Sequence, residues 1–311
     1  MATVALIDLT ADEYAGLRPD LVSGYAQSMA ANYGIPPAEA HAEAERQTAA
    51  LLPDGVDTPG QLLRKGRVDD VEVGLLWIAL SGAPYPAMAW VYEIEVRPGH
   101  RSRGYGSAML LAGEADLADR GVRRVGLHVF GANTGARRLY RRLGYRMLAQ
   151  LRARSVAPAS SPVTLVPMTQ AEYEQRLAHL IATDPAALTR DPLSPPSRAR
   201  DVATVLAPQG VAGDNVLLCH AVAGGRPVGW IWLSLPGAQR PDTGTIHYLT
   251  IDEPWRRRGH GRALLAAAEA EYARRGVPRM GLWIAASSSG AEQFADRLGL
   301  EVSSEHMVKD L

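Results

Sequence analysis

The amino-acid sequence predicts an α/β protein built twice over, as two tandem domains that each set helices around a mixed sheet. Three observations carry that prediction. The chain repeats itself at a domain-length interval. "VALIDLTADEY" begins at Val4 and "VTLVPMTQAEY" at Val163, 159 residues on. "LLPDGV" from Leu51 and "LAPQGV" from Leu206 lie 155 apart, as do "GVRRVGL" from Gly121 and "GVPRMGL" from Gly276. So long a period belongs to a duplicated domain and not to a solenoid. Within one copy the pattern runs strand, glycine loop, helix, strand, helix, strand. Finally, "RARSVAPASSP" at residues 152–162 is rich in Ser, Ala and Pro and lacks apolar periodicity. It reads as the connection, giving domains 1–154 and 163–311 about a linker at 155–162.

The elements of the first copy follow in order. Helical stretches fill residues 11–50. "VGLLWIAL" at 73–80 is far shorter than the about 20 apolar residues a membrane span needs, so it reads as a buried strand. "AWVYEIEV" at 89–96 alternates, with Val91, Glu93 and Glu95 on one side and Tyr92, Ile94 and Val96 on the other. "RPGH" breaks it. A helix from Gly104 to Arg120 shows Ala108, Leu111, Ala112 and Ala115 on one face, and Gly121 stops it. "RVGLHVF" is a strand, "TGARRLYRRL" a short helix ended by Gly144, and "YRMLAQL" a last strand. In the second copy "DPAALTRDPLSPPSR", from Asp184, reads as a loop between helices.

Composition removes several function classes. Lys plus Arg and Asp plus Glu number 33 each, so no global basic field draws the chain to nucleic acid or an anionic membrane. The one cysteine, Cys219, allows neither an internal disulfide nor a cysteine-based zinc site. With no signal-peptide pattern at the start, a reducing cytoplasmic home is expected.

The chemistry points to two loops, "RSRGYG" at 101–106 and "RRRGHG" at 256–261. A glycine loop between strand and helix leaves backbone N–H groups unpaired at the helix start, and the helix dipole adds to their pull on an anion. Gly104 and Gly106 would let a phosphate approach closely, and Arg101 and Arg103 add charge. The spacing Arg-x-x-Gly-x-Gly lacks the lysine of a nucleotide-triphosphate loop. Followed after the next strand by "NTGARRLYRRLGY", it resembles the GNAT (GCN5-related N-acetyltransferase) superfamily in both copies, which implies a mostly antiparallel sheet in each domain.

The resemblance implies acetyl-CoA as acetyl donor. Its pyrophosphate would meet Arg101, Ser102, Arg103, Gly104, Tyr105, Gly106 and Ser107, and its pantetheine arm the backbone of Ile94, Glu95 and Val96 and the side chain of Asn133. Tyr140 matches the family's general acid for the departing thiolate. The acceptor amine must attack as the free base although an alkyl ammonium ionises near ~10.4, so a base is needed. Glu93, Glu95 and His128 are the candidates, an imidazole ionising near ~6.5 and so suiting base work. A solvated strand face for the two glutamates and a core histidine for His128 stand beside that reading. Arg137, Arg138, Arg141 and Arg142 read as a solvated helix face. No metal is required.

The second copy keeps Arg256, Arg258, Gly259 and Gly261, a possible second cofactor loop, but its chemical groups have drifted. At a spacing of 155, Asn133 becomes Ser288, Tyr140 becomes Ala295, His128 becomes Trp283, Glu93 becomes Tyr248 and Glu95 becomes Thr250. The expectation is therefore an acetyl-CoA-dependent N-acetyltransferase acting on a primary amine of a small molecule, with the chemistry in the N-terminal domain. Mycothiol synthase resembles a tandem GNAT of similar size, but its active copy is the C-terminal one, which ranks that identity low. Alternatives are a non-catalytic acyl-CoA-binding partner protein, or transfer of another acyl group or to a thiol. Tyr25, Tyr33, Tyr85 and Trp90 are candidates to line the acceptor pocket, whereas Glu39, Glu43 and Glu45 read as solvated. Monomer and homodimer are both compatible with the sequence.

Overall fold

The computed structural model describes residues 3–80, 88–237, 240–288 and 290–311. In chain order it contains β1 (Ala5–Asp8), α1 (Ala11–Tyr33), α2 (Pro37–Leu51), β2 (Gln61–Val68), β3 (Val71–Ala79), β4 (Ala89–Val96), α3 (Tyr105–Asp119), β5 (Arg124–Phe130), α4 (Thr134–Arg142) and β6 (Arg146–Ser155). The second repeat follows as β7 (Val163–Pro167), α5 (Gln170–Thr183), α6 (Ala186–Thr189), α7 (Pro196–Leu206), β8 (Val216–Ala223), β9 (Arg226–Ser234), β10 (Thr243–Ile251), α8 (His260–Arg274), β11 (Arg279–Ala285), α9 (Ala291–Arg297) and β12 (Glu301–Asp310). No helix of the described residues is long and apolar enough to cross a membrane.

The chain forms two compact units. Unit 1 holds residues 1–32, 36–147 and 305–311, and unit 2 holds 33–35 and 148–304. In unit 1 the strand order is β1-β2-β3-β4-β5-β12; in unit 2 it is β7-β8-β9-β10-β11-β6. Both sheets are mixed and mostly antiparallel: β4 runs parallel to β5 and β10 to β11, while β1–β2, β2–β3, β3–β4, β7–β8, β8–β9, β9–β10 and β11–β6 are antiparallel. The last strand of each unit differs from the sequence expectation. β6 closes the first repeat in sequence, yet Leu148–Ser155 sit in unit 2, and Glu305–Leu311 of the second repeat sit in unit 1. The stretch 152–155, expected in the connection, is strand.

Buried ion pairs fasten these strands. Lys309 of β12 pairs with Glu114 of α3 at 2.5 Å in unit 1. Arg154 of β6 pairs with Glu269 of α8 at 2.6 Å in unit 2. Glu114 and Glu269 are 6% and 4% exposed, so each carboxylate depends on its cation for compensation.

Local sequence explains the other elements. α1 and α5 both open with a Thr-x-x-Glu capping box: Thr10 and Glu13 exchange hydrogen bonds, as do Thr169 and Glu172. The inward face of α3 is Met109, Leu110, Gly113, Glu114 and Leu117, not the expected Ala108, Leu111, Ala112 and Ala115. The true face contains a glycine and a charge. At Gly113 an added Cβ would fall 2.8 Å from Leu76, so the helix lies close on β3. The core of unit 1 packs Leu110 and Leu117 on Leu76, Ile78, Val91, Val125 and Leu127. That of unit 2 packs Leu264, Leu265 and Tyr272 on Ile231, Leu233 and Ile246. The proline-rich segment from Asp184, expected to be a loop between helices, holds the short α6 between α5 and α7.

Candidate active site

Two strands frame the site in unit 1. β4 and β5 pair only as far as Val91 and Leu127, although β4 continues to Val96 and β5 to Phe130. The end of β4 therefore keeps one backbone edge unpaired with its neighbour. Against β3, Trp77 pairs with Glu93 and Ile78 with Val91, which makes Tyr92 the extra residue of a bulge. The bulge breaks the simple alternation. Val91 joins Ile94 on the core side with Leu76 and Ile78, whereas Glu93 and Glu95 pair opposite Trp77 and Leu75. Val91 and Glu93 are thus not on one face.

The two glutamates then diverge in environment. Glu95 is 56% exposed, with Arg101 3.9 Å away. Glu93 is half-buried. Its removal from water, with a smaller push from Glu95, lifts its carboxyl to about 7. Tyr140, 7% exposed on α4, has its phenol held protonated well above the usual range by burial, and then by the negative charge of Glu93. Those two groups are in electrostatic reach of each other. His128 follows the last paired residue of β5 and packs edge-on against Phe130 at 4.7 Å and His306 at 5.6 Å. His306, on β12, also meets the Trp90 ring at 5.5 Å.

The loop after β4 has the form an anion site requires. Gly104 is the N-cap of α3 with φ +82°, a conformation glycine adopts freely. It offers no side-chain cap, so the first-turn N–H groups of Tyr105, Gly106 and Ser107 lack one. A Cβ on Gly104 would meet nothing within 4 Å, so space is open there. Ser102 holds φ +62°, a strained conformation for a residue with a side chain. Arg101 turns back, its Nε donating to the Val96 carbonyl at 3.0 Å, and so braces the loop; Arg103 is exposed. Asn133 caps α4, its Oδ1 accepting from the Ala136 N–H at 3.1 Å, which leaves its NH2 group as the donor for a ligand. These residues fit a pyrophosphate and an extended amide-bearing arm.

The arginines of α4 are not a uniformly solvated face. Arg137 makes two 3.0 Å hydrogen bonds to Glu305, Arg141 reaches the same carboxylate at 2.9 Å, and Arg142 lies 3.4 Å from the Ser107 hydroxyl. Glu305 is 2% exposed. Of the three acids on α2, Glu39 is exposed, Glu45 is partly exposed and pairs with Arg18 at 2.5 Å, and only Glu43 is buried. Tyr25 donates to Gln47 at 2.9 Å, Trp90 is core, and Tyr33 belongs to unit 2; Tyr85 lies outside the described residues. Glu305, His306 and Lys309 were not singled out in the sequence because the repeat assigns them to the other copy. Cys219 is buried, and burial pushes its thiol up to about 11, which disqualifies it as a nucleophile.

Unit 2 repeats the loop closely. Gly259 has φ +83° and no side-chain cap, Arg257 has φ +59°, and the Arg256 Nε donates to the Ile251 carbonyl at 2.9 Å. Ser288, Ala295, Trp283, Tyr248 and Thr250 stand where the first copy has its chemical groups.

The profile of the Acetyltransferase (GNAT) family matches residues 36–145 and 187–300. The chain belongs to this family. It is a GNAT-type acetyltransferase with the family domain present twice, and enzymes of the family use acetyl-CoA as acetyl donor. Among curated relatives, the uncharacterized N-acetyltransferase YycN of Bacillus subtilis (strain 168) is 26% identical over 145 residues, covering 46% of this chain and 93% of that protein. A mycothiol acetyltransferase of Clavibacter sepedonicus is 36% identical over 149 residues, 47% of this chain and 43% of the relative. This chain thus spans less than half the length of that protein. Over the full length the fold is similar to a GCN5-related N-acetyltransferase from Sphaerobacter thermophilus, with a TM-score of 0.58 and 21% identity, covering 99% of this chain and 95% of the other.

Proposed function

We propose that unit 1 transfers the acetyl group of acetyl-CoA to a primary amine of a small molecule by direct attack in a ternary complex, with Glu93 as base and Tyr140 as acid. The observation that carries this reading is the pairing of a carboxyl lifted to about 7 with a buried phenol held protonated, beside the gap where β4 and β5 stop pairing. When bound, acetyl-CoA supplies the acetyl group as a thioester. The first turn of α3, with Arg103 and the glycines, holds the diphosphate; the free edge of β4 and the Asn133 NH2 orient the arm. Glu93 takes a proton from the incoming ammonium at its carboxylate, directly or through a water, near the pH at which a base is most effective. A backbone N–H of β4 donates to the oxyanion that develops on the acetyl carbonyl. Tyr140 delivers its phenolic proton to the departing sulfur. The negative charge of Glu93 and Glu95 also favours a cationic acceptor. His128 and Glu95 then line the site without carrying the proton transfer.

The test is release of free thiol from acetyl-CoA with a panel of primary amines, followed across pH. The proposal expects turnover to rise with an apparent pKa near 7 in the native chain and Glu93→Gln to remove that rise. Equal turnover by Tyr140→Phe, or an unchanged pH profile in Glu93→Gln, would overturn the assignment of the two groups.

A further inference from the structure

The gap in unit 2 has the opposite electrostatic character. β10 and β11 pair as far as Ile246 and Leu282, and the next residues are His247, the extra residue of a bulge against β9, and Trp283. Two guanidinium groups converge there. Arg190, which follows α6 and holds φ +63°, places its Cζ 3.7 Å from the centre of the Trp283 ring. The Arg240 Cζ lies 5.8 Å from the same ring and 4.9 Å from that of Tyr33. A guanidinium stacked on an aromatic face keeps its N–H donors in its own plane, where they suit a carboxylate or phosphate.

The groups around Arg240 do not meet all of its donors among the described residues. His247 is pushed down to about 3, first by burial and then by Arg190 and Arg240, so its ring is neutral. Its Nε2 lies 2.8 Å from the Ser234 hydroxyl. An imidazole shifted in that direction is poorly suited to activating the serine. The nearby Asp242 is engaged by the Thr243 hydroxyl at 2.7 Å and faces Arg279 at 3.7 Å, and Asp191 accepts the Leu193 N–H at 3.0 Å. Two buried nitrogens, the Arg240 Nε and the His247 Nδ1, have no hydrogen-bond partner among the described residues. A buried polar group left unpaired is costly, and an incoming oxyanion would satisfy such donors.

We infer that this gap in unit 2 binds a small organic oxyanion, a carboxylate or a phosphate, between Arg190 and Arg240 over the Trp283 and Tyr33 rings. The site is separate from the glycine loop at 256–261, and it stands whether or not unit 1 acetylates an amine.

Fluorine NMR of the full chain carrying 5-fluorotryptophan tests it. The chain has six tryptophans, and the Trp283 signal is assigned by its loss in Trp283→Phe. Succinate and inorganic phosphate are titrated separately. The inference expects a saturable shift of the Trp283 signal with at least one probe, with binding about tenfold weaker in Arg240→Gln and unaltered in Arg258→Gln at the glycine loop. If Arg240→Gln does not fold, Arg240→Lys serves: it keeps the charge and loses the planar fork, so weaker binding is again expected. A response to succinate alone assigns a carboxylate, and one to phosphate alone a phosphate. No saturable shift with either probe overturns the inference. So does equal affinity in the Arg240 variant, or a shift lost in Arg258→Gln.

Discussion

The two gaps, one in each unit, share a backbone and differ in sign. Both sit where a parallel strand pair stops, one after Val91 and Leu127 and the other after Ile246 and Leu282, at positions 155 apart. Both have a bulge at the same place, Tyr92 in one and His247 in the other. Near the first, burial and then the charge of Glu95 keep the Glu93 carboxyl protonated up to about 7; near the second, burial and then two guanidiniums keep the His247 imidazole neutral down to about 3. Duplication thus preserved the frame while substitution reversed the field. On the two proposals above, the field sets the ligand of each gap, a cation in unit 1 and an anion in unit 2.

The largest expected effect tests whether chemistry is confined to unit 1. Tyr140→Phe should lower kcat by about 10²–10⁴-fold, the usual contribution of a positioned acid. Tyr248→Phe, at the position matching Glu93, should leave turnover unchanged. A comparable loss in both variants, measured as thiol release, would break the comparison. Next in size is the anchor of α4. Glu305→Ala leaves the Arg137 guanidinium beside a vacated acceptor and should destabilise unit 1 by about 3 kcal/mol in denaturant melts. Unit 2 solves the same position differently: Gln150 accepts from the Arg152 Nε at 2.9 Å, and Arg152 pairs with Asp296 of α9 at 2.8 Å. Gln150→Ala should therefore cost less than Glu305→Ala, because no charge is left without its partner.

Much of this was legible in the sequence, for local reasons. The glycine loops, β4, β5, α4 and the drift of the second copy are written in short stretches whose residues act where they stand. The final strand was not, because the repeat assigns Lys309 and Glu305 to the copy that encodes them and nothing local says that the strand serves unit 1. One trace was available: the acid pair Glu114 and Glu269 and the cation pair Arg154 and Lys309 both recur at 155. The bulge was hidden because alternation counts residues, and an inserted residue changes the face without changing the pattern. Arg190 and Arg240 left no signal because neither has a counterpart in the first copy: the matching positions are Ile35 and Tyr85.

Glu93 and His247 should also give opposed pH dependence of stability, the acid raised and the imidazole lowered first by burial. Glu93 binds its proton more tightly when folded, between its ordinary 4.5 and about 7, so the folded form holds more protons there. Its contribution to stability is full below that window and is lost as pH rises through it. His247 behaves in reverse: the unfolded chain binds the proton between 6.5 and about 3, so stability is lost as pH falls. A tenfold difference in proton affinity between the folded and unfolded chain is worth at most about 1.4 kcal/mol. Calorimetry should find Glu93→Gln gaining on the native chain from pH 5 to 8, and His247→Gln gaining as pH falls from 6 towards 4. A gain in the same direction for both would mean that one of the two groups is not shifted as its burial requires.

The smallest effect is the most discriminating for the glycine loops. Gly104 and Gly259 hold φ of +82° and +83°, and neither has an atom within 4 Å of where a Cβ would stand. Gly104→Ala and Gly259→Ala therefore share one penalty, the left-handed backbone, worth about 1–2 kcal/mol in each unit. Equal loss of stability is expected, and it separates strain from function. Only Gly104→Ala should raise the KM for acetyl-CoA, since only that loop leads into the gap that holds Glu93 and Tyr140. A matching rise in Gly259→Ala would mean that the second loop takes part in turnover. The difference between the two units would then lie in their gaps alone and not in their hold on the donor.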